Sequence, residues 1–268
     1  MKQNGRKSNS IEKALKLILS FQTHQPVWGV RELGAKTGFS PATVQRILQT
    51  LKRYGFVAQD MDTRQYRLGN IYFSLLHVLQ SSLPISRTAL PFMKQLAGST
   101  AETVHLNIVD GTERICIESI ESMQTLKASM PIGSRSPLYA GASSKCLLAF
   151  STSDFIESYL DTITLKALTP HTITDPQALE LELKEIKTNG YATSLGEHNP
   201  GLGAISAPVI NHEGIQLGAI SLAIPEIRYR EQAHREVCLK ETLRIVNTCS
   251  EMMGRQASAS PNGYPEVI

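Results

Sequence analysis

The sequence contains no long apolar run: nothing in its 268 residues approaches the ~18 apolar positions of a membrane-spanning helix. Its opening residues, Met-Lys-Gln-Asn-Gly-Arg-Lys, hold no apolar core of a secretory leader. Cysteine is sparse and unpaired in spacing. Cys116, Cys146, Cys238 and Cys249 stand apart in apolar stretches, which disfavours a zinc knuckle or a disulfide framework and fits structural thiols of a reducing compartment. Together these absences predict a soluble, cytoplasmic protein with no membrane partner.

Catalytic signatures are missing as well. Ser143-Ser144-Lys145 lacks the Ser-x-x-Lys spacing, no Gly-x-Ser-x-Gly elbow occurs, and Gly201-Leu202-Gly203 is not followed by a third glycine at dinucleotide spacing. Glu197-His198 with His171 or His212 is a conceivable metal set, but scattered histidines are ordinarily surface or structural groups. Nothing resembles a poised nucleophile–base pair. No catalytic residue, metal or cofactor is expected.

What is present begins with a charge split. Residues 1–80 carry 12 Lys+Arg against 4 Asp+Glu, a balance of +8; residues 81–268 carry 15 against 20, a balance of −5. A basic first third and a mildly acidic remainder confine any contact with phosphate backbone to the first part.

Within that part, Val30–Thr37 and Pro41 to about Tyr54 read as two short helices around a Gly-Phe-Ser turn. Ser40 is a natural N-cap, and Pro41 occupies the first helical position, where its missing N–H costs nothing. Val44, Ile47, Leu48 and Leu51 recur at i, i+3, i+4 and i+7 and face a core. The rest of the second helix is small, hydrogen-bonding or cationic, without acid, as a major-groove helix requires. Thr43, Gln45, Arg46 and Gln49 are the candidates for base edges, since Arg reads guanine and Gln reads adenine. Lys52, Arg53 and Arg64 are candidates for phosphate, with Ser40 and Ala42 at the start of the same helix. A preceding helix carries Ile11, Ala14, Leu15, Ile18 and Leu19 on one side, with Ser8 or Ser10 as its cap. Gly55–Gln59 and Arg64–Leu68, joined by Asp60-Met61-Asp62-Thr63, read as a β-hairpin. Three helices and a hairpin make a winged helix-turn-helix.

An apolar helix follows over Asn70–Ser82, too greasy for a solvated linker. Beyond it, a helix from about Ser86 to Ala97 precedes strands around Val104–Ile108 and Ile115–Ser119, with Thr125–Met130 as a third candidate. Pro131–Pro137 reads as a loop leading to a helix near Gly141–Phe150. Asp175-Pro176 caps a helix that stops at Gly190. Strands at Ala204–Ile210 and Gln216–Ile224 and a last helix from about Tyr229 to Met253 complete an α+β domain with an antiparallel sheet. The small residues Ala140–Ser144 open a helix whose first N–H groups have no internal partner, an end that attracts anions.

The chain resembles IclR-family transcriptional regulators over about residues 8–253. Three blocks carry the likeness: Gly38–Leu48 with Tyr66-Arg67-Leu68-Gly69; Pro131–Ala140 continuing to Lys145 and Leu148-Ala149; and Gly190–Ile210 leading to Ala219–Ala223. The resemblance implies a GAF-like effector domain that binds a small molecule, often a carboxylate, and dimers or dimers of dimers on double-stranded operator DNA. Matched by position, the implied effector residues are Ala142 and Ser143 at the helix N-terminus, Ser194 and Leu202 on the third block's loop, and Ala204, Ser221 and Ala223 on strands, with Leu126 and Met130 as apolar walls. Two departures stand out. The family often has glycine at the positions of Ala142 and Ser144, and some members carry an acid at Ser194. An organic acid held by the N–H groups of Ala142 and Ser143 is the expected ligand.

This organisation divides the chain into a disordered arm (1–9), the winged helix (10–69), a helical connector (70–83), an effector-binding and oligomerisation domain (84–253) and a loose tail (254–268). Two other functions compete with an acid-responsive DNA-binding regulator: an enzyme acting on a small organic acid, and an architectural DNA binder indifferent to ligands.

Overall fold

The computed structural model describes residues 9–254, so the expected arm and tail lie almost wholly outside the described residues. The chain divides between Ser82 and Leu83 into two units.

In the first unit, helix α1 (Ser10–Ile18) starts at Asn9, not at Ser8 or Ser10. The Asn9 side chain accepts the Glu12 amide at 2.8 Å and Glu12 accepts the Asn9 amide at 3.1 Å, a reciprocal cap; Ser10 is the first helical residue, and Ser8 lies outside the described residues. The expected apolar stripe on α1 is also corrected: Leu17 is the fully buried residue, while Ile11, Leu15 and Leu19 are exposed. Helix α2 (Val30–Thr37) ends at Gly38, whose φ of 75° reverses the chain, and α3 (Pro41–Arg53) begins at Ser40, whose Oγ accepts the Thr43 amide at 3.3 Å. Strands β2 (Val57–Gln59) and β3 (Tyr66–Leu68) form the expected hairpin. A further strand, β1 (Val27–Trp28), pairs with the free edge of β3; two residues are too few to show a period.

Leu17, Leu33, Val44, Ile47, Leu48, Leu51, Val57 and Tyr66 close the core of this unit, with Trp28 packed against it. Truncating the fully buried Leu48 to alanine is expected to destabilise the unit by about 2–5 kcal/mol. Urea unfolding followed through Trp28, the single tryptophan, measures this; a loss below about 1 kcal/mol would contradict the packing. Helix α4 (Ile71–Ser81) contains no buried residue, and Phe73 is 76% exposed.

The second unit is built on a six-stranded antiparallel sheet in the order β6-β5-β4-β9-β8-β7. Its strands are β4 (Thr103–Asp110), β5 (Glu113–Ile120), β6 (Arg135–Pro137), β7 (Ala192–Leu195), β8 (Leu202–Ile210) and β9 (Gln216–Pro225). Thr125–Met130 is not a strand. The edge of β5 is taken instead by β6, inside the expected loop, and the Ala128 carbonyl accepts the Thr103 hydroxyl at 2.7 Å. Side chains alternate across the sheet. Val104, Leu106, Ile205, Ala207, Ile220 and Leu222 pack with α5 (Pro84–Thr100) and α10 (Gln232–Met252). The opposite face is covered by α6 (Ala142–Ala149) and α8 (Pro176–Asn189). Helix α7 (Ser153–Thr162) and the short α9 (Glu226–Tyr229), which precedes the expected final helix, complete the unit. All four cysteines are buried and unpaired. Burial raises Cys116 to about 11 and Cys146, Cys238 and Cys249 to about 12, as structural thiols require.

Candidate functional site

The outward face of α3 combines two kinds of position. Arg46, Gln49, Lys52 and Arg53 are exposed, as are Ser40 and Ala42 at the helix start. Gln45 and Thr43 are half-buried and already engaged. The Gln45 amide donates to the Tyr66 hydroxyl at 3.3 Å, tying α3 to the wing, and Thr43 shares a 2.9 Å hydrogen bond with Ser40. Arg46 and Gln49 are therefore the long side chains free to reach outward from the centre of the helix. Lys52 reaches Gln59 on β2 at 3.2 Å. Lys52, Arg53 and Arg67 line one groove between α3 and the wing, a surface with no acid in it.

Arg64 sits at the exposed tip of the wing with a φ of 59°, a left-handed conformation that non-glycine residues rarely adopt. The Asp60 carboxylate holds that tip, accepting the amides of Asp62 at 3.0 Å and Thr63 at 2.7 Å and the Thr63 hydroxyl at 2.9 Å. The Thr63 bonds, chiefly, keep Asp60 below its usual carboxylate range.

In the second unit, a cavity of about 50 Å³ lies at the N-terminus of α6. It has room for roughly four waters at ~10–15 Å³ each. Of the effector residues implied by the resemblance, Met130, Ala142, Ser143, Ser194, Leu202, Ala204 and Ala223 line it. Leu126 and Ser221 do not. Leu126 is 57% exposed, and its carbonyl accepts Arg228. Ser221 is spent in a 2.6 Å hydrogen bond with Ser206 within the sheet.

The helix end is more occupied than its sequence implies. The Ala142 amide already donates to Ser194 Oγ at 2.9 Å, and the Gly141 amide to Glu197 Oε2 at 3.0 Å. Ser194 thus acts as the internal acceptor of an amide expected to be open to ligand. The other oxygen of Glu197 meets the fully buried Lys145 ammonium at 2.7 Å, and Glu182 on α8 meets the same ammonium at 2.7 Å. In this first turn the Ser143 and Ser144 amides have no protein acceptor among the described residues, and the Lys145 amide closes the helix on the Gly141 carbonyl at 3.0 Å.

The sheet side of the cavity holds groups that sequence reasoning missed. His105 on β4 and Arg114 on β5 both line it. A buried chain of hydrogen bonds connects them. Arg114 Nε donates to Ser136 Oγ at 2.7 Å and Nη1 to Asn107 Oδ1 at 2.8 Å; Asn107 Nδ2 meets His105 Nδ1 at 2.7 Å; Ser136 continues to Ser144 at 3.0 Å. These residues alternate with Val104, Leu106 and Ile115 along their strands, and alternation of that kind ordinarily marks a solvent face. Here α6 covers that face.

His105 is 2% exposed, and burial, with the Arg114 charge assisting, lowers its pKa to about 3. The folded ring therefore stays neutral while the unfolded ring, near 6.5, takes up a proton. Stability is lost as pH falls from about 6.5 towards 3, by up to about 1.4 kcal/mol per pH unit. A His105→Gln variant is expected to show a shallower acid slope in pH-dependent urea unfolding. An unchanged slope would assign the acid sensitivity to other groups.

Comparisons with known proteins place these features. A family model described as "Bacterial transcriptional regulator IclR C-terminal" matches residues 77–252, and one described as "IclR helix-turn-helix domain" matches residues 10–61. The chain is 35% identical over 225 residues to the HTH-type transcriptional regulator KipR of Bacillus subtilis, covering 84% of this chain and 89% of the relative. It is 31% identical over 250 residues to the HTH-type transcriptional regulator KdgR of Escherichia coli, covering 92% and 93%. Among solved structures, the Thermotoga maritima IclR is similar with a TM-score of 0.77 and 26% identity, covering 92% of this chain and 99% of that one. An IclR homolog from Microbacterium hydrocarbonoxydans complexed with 4-hydroxybenzoate shares the fold, with a TM-score of 0.81 and 20% identity over 91% of this chain and 99% of that one.

Proposed function

The chain belongs to the IclR family of bacterial transcriptional regulators, and from that premise we propose that its operator binding is modulated by a small organic acid held in the cavity at the N-terminus of α6. DNA binding is the family's activity, and its relatives are named as regulators rather than enzymes. We assign base reading to Arg46 and Gln49, with Thr43 and Gln45 supporting the helix from its sides. Phosphate contact falls to Lys52, Arg53 and Arg64, with Ser40 and Ala42 beside the backbone.

The observation that carries the effector reading is the cavity itself. It lies against a helix N-terminus, is walled by Ala142, Ser143, Ala204 and Ala223, and contains buried donors. Small walls allow close approach, and a helix start favours an anion. Its volume of about 50 Å³ fits a compact acid of a few heavy atoms. 4-Hydroxybenzoate, seen with the Microbacterium protein, exceeds that space and marks the upper end of a useful ligand panel.

The exposed Ile11, Leu15 and Leu19 of α1 and Phe73, Val78 and Leu79 of α4 support self-association through the first unit. Coupling then requires the acid to favour one arrangement of the dimer over another. Electrophoretic shift on the chain's own promoter with a panel of acids tests this. One acid is expected to change affinity by about 5–150-fold, the usual range of allosteric coupling. Unchanged, specific binding with every acid would instead support the architectural reading.

A further inference from the structure

The positive charge at the floor of this cavity has no counter-charge among the described residues. Arg114 is 3% exposed, and all its contacts are neutral: Ser136, Asn107 and, weakly, the Met130 sulfur at 3.6 Å. No carboxylate among the described residues pairs with it, and its Nη2 has no protein acceptor there. Lys145, buried nearby, shows what the fold does elsewhere: it holds two carboxylates. A guanidinium does not shed its proton to escape burial. An unpaired buried charge is costly, so Arg114 is in place at the expense of stability.

The neighbouring histidine adds a second unused donor. Arg114 has only donors, so the Asn107 atom facing it is the oxygen. The Asn107 amide nitrogen then faces His105 Nδ1 and donates to it. With Nδ1 accepting, the hydrogen of the neutral ring sits on Nε2, and that atom is buried without a partner. Arg114 and His105 line the same cavity, on adjacent strands.

We propose that Arg114, with the His105 Nε2–H beside it, is the receptor for the effector's carboxylate, and that the acid's charge rests on the sheet floor rather than on the α6 N-terminus. This rests on the effector reading above. The α6 end, whose Gly141 and Ala142 amides are taken by Glu197 and Ser194, offers the Ser143 amide to a neutral oxygen of the same ligand. Arg114 thereby sets selection for an acid over its uncharged relatives, because a buried guanidinium rejects a neutral occupant that leaves it unpaired.

Matched acids and amides test this on the full-length protein: pyruvate with pyruvamide, lactate with lactamide, and benzoate with benzamide, followed by thermal shift and calorimetric titration. An acid is expected to stabilise the wild type while its amide does not. R114M should lose at least about 30-fold in affinity for that acid, the usual loss on removing one partner of a buried charge pair. Its melting temperature without ligand should equal or exceed that of the wild type, since an unpaired charge has been removed. R114Q, which keeps a donor towards Asn107 and Ser136 without the charge, should lose the acid-over-amide preference in the same way, and stands in if R114M does not fold. Acids that bind R114Q as tightly as the wild type would overturn the assignment and leave the effector reading intact. If no acid of the panel acts on the wild type, in melting or in DNA affinity, the effector reading falls and this assignment with it.

Discussion

Replacing Arg46 and Gln49 together by alanine is expected to weaken operator binding by about 2–6 kcal/mol, from ~1–3 kcal/mol for each good base contact. Both side chains are exposed near the middle of α3, whereas Gln45 is anchored to Tyr66 and Lys52 to Gln59. Neither takes part in the core formed by Val44, Ile47, Leu48 and Leu51, so folding should be unaffected. Titration against the operator and against unrelated DNA, at several salt concentrations, separates the possibilities. Loss confined to the operator, with little change in salt slope, assigns both residues to bases. Equal loss on every sequence, with a slope reduced by about one unit, would assign Arg46 to phosphate.

Truncating Lys145 to alanine is expected to destabilise the second unit by about 3–5 kcal/mol, the usual cost of removing one partner from a buried ion pair. Its ammonium is fully buried between Glu182 and Glu197, and its loss leaves a carboxylate on α8 facing one on the loop between β7 and β8 with no charge between them. Glu182 is part-exposed, so water screens that side, and most of the loss is to be expected at Glu197. Glu197 also accepts the Gly141 amide, so the same variant should loosen the loop over the cavity. K145M combined with E197Q should recover a good part of the stability in urea unfolding. A K145A midpoint close to that of the wild type would show that the triad contributes little.

Much of the fold was legible because it rests on local signals. The Ser40 cap, Pro41 and the Gly38 turn specify α2 and α3 without help from the rest of the chain. The hairpin of β2 and β3 follows from two short runs flanking a polar turn. What escaped notice was short or dependent on distant partners: β1 and β6 are two and three residues long and exist as strands because β3 and β5 offer them an open edge. Thr125–Met130 had the composition of a strand but no edge to join. The Asn9 cap turned on a reciprocal bond with Glu12.

The candidate sites divide along the same line. The face of α3 proposed to read DNA was legible because a helix repeats every 3.6 residues, so four apolar positions on α3 determine which side chains remain outside. The sequence by itself therefore determined a winged helix with an acid-free reading face, an α+β second domain and membership of a regulator family. The cavity floor was not legible. His105, Asn107 and Arg114 alternate with apolar neighbours as an exposed strand face would, and burial of that face is decided by α6, more than twenty residues further along the chain. Tertiary structure alone decided that Arg114 is buried without a counter-charge, that Ser194 and Glu197 take two of the helix-end amides, and that Leu126 and Ser221 lie away from the cavity. The physical reason is that a strand's period of two sorts side chains onto two faces, but only what packs against each face settles which of them meets water.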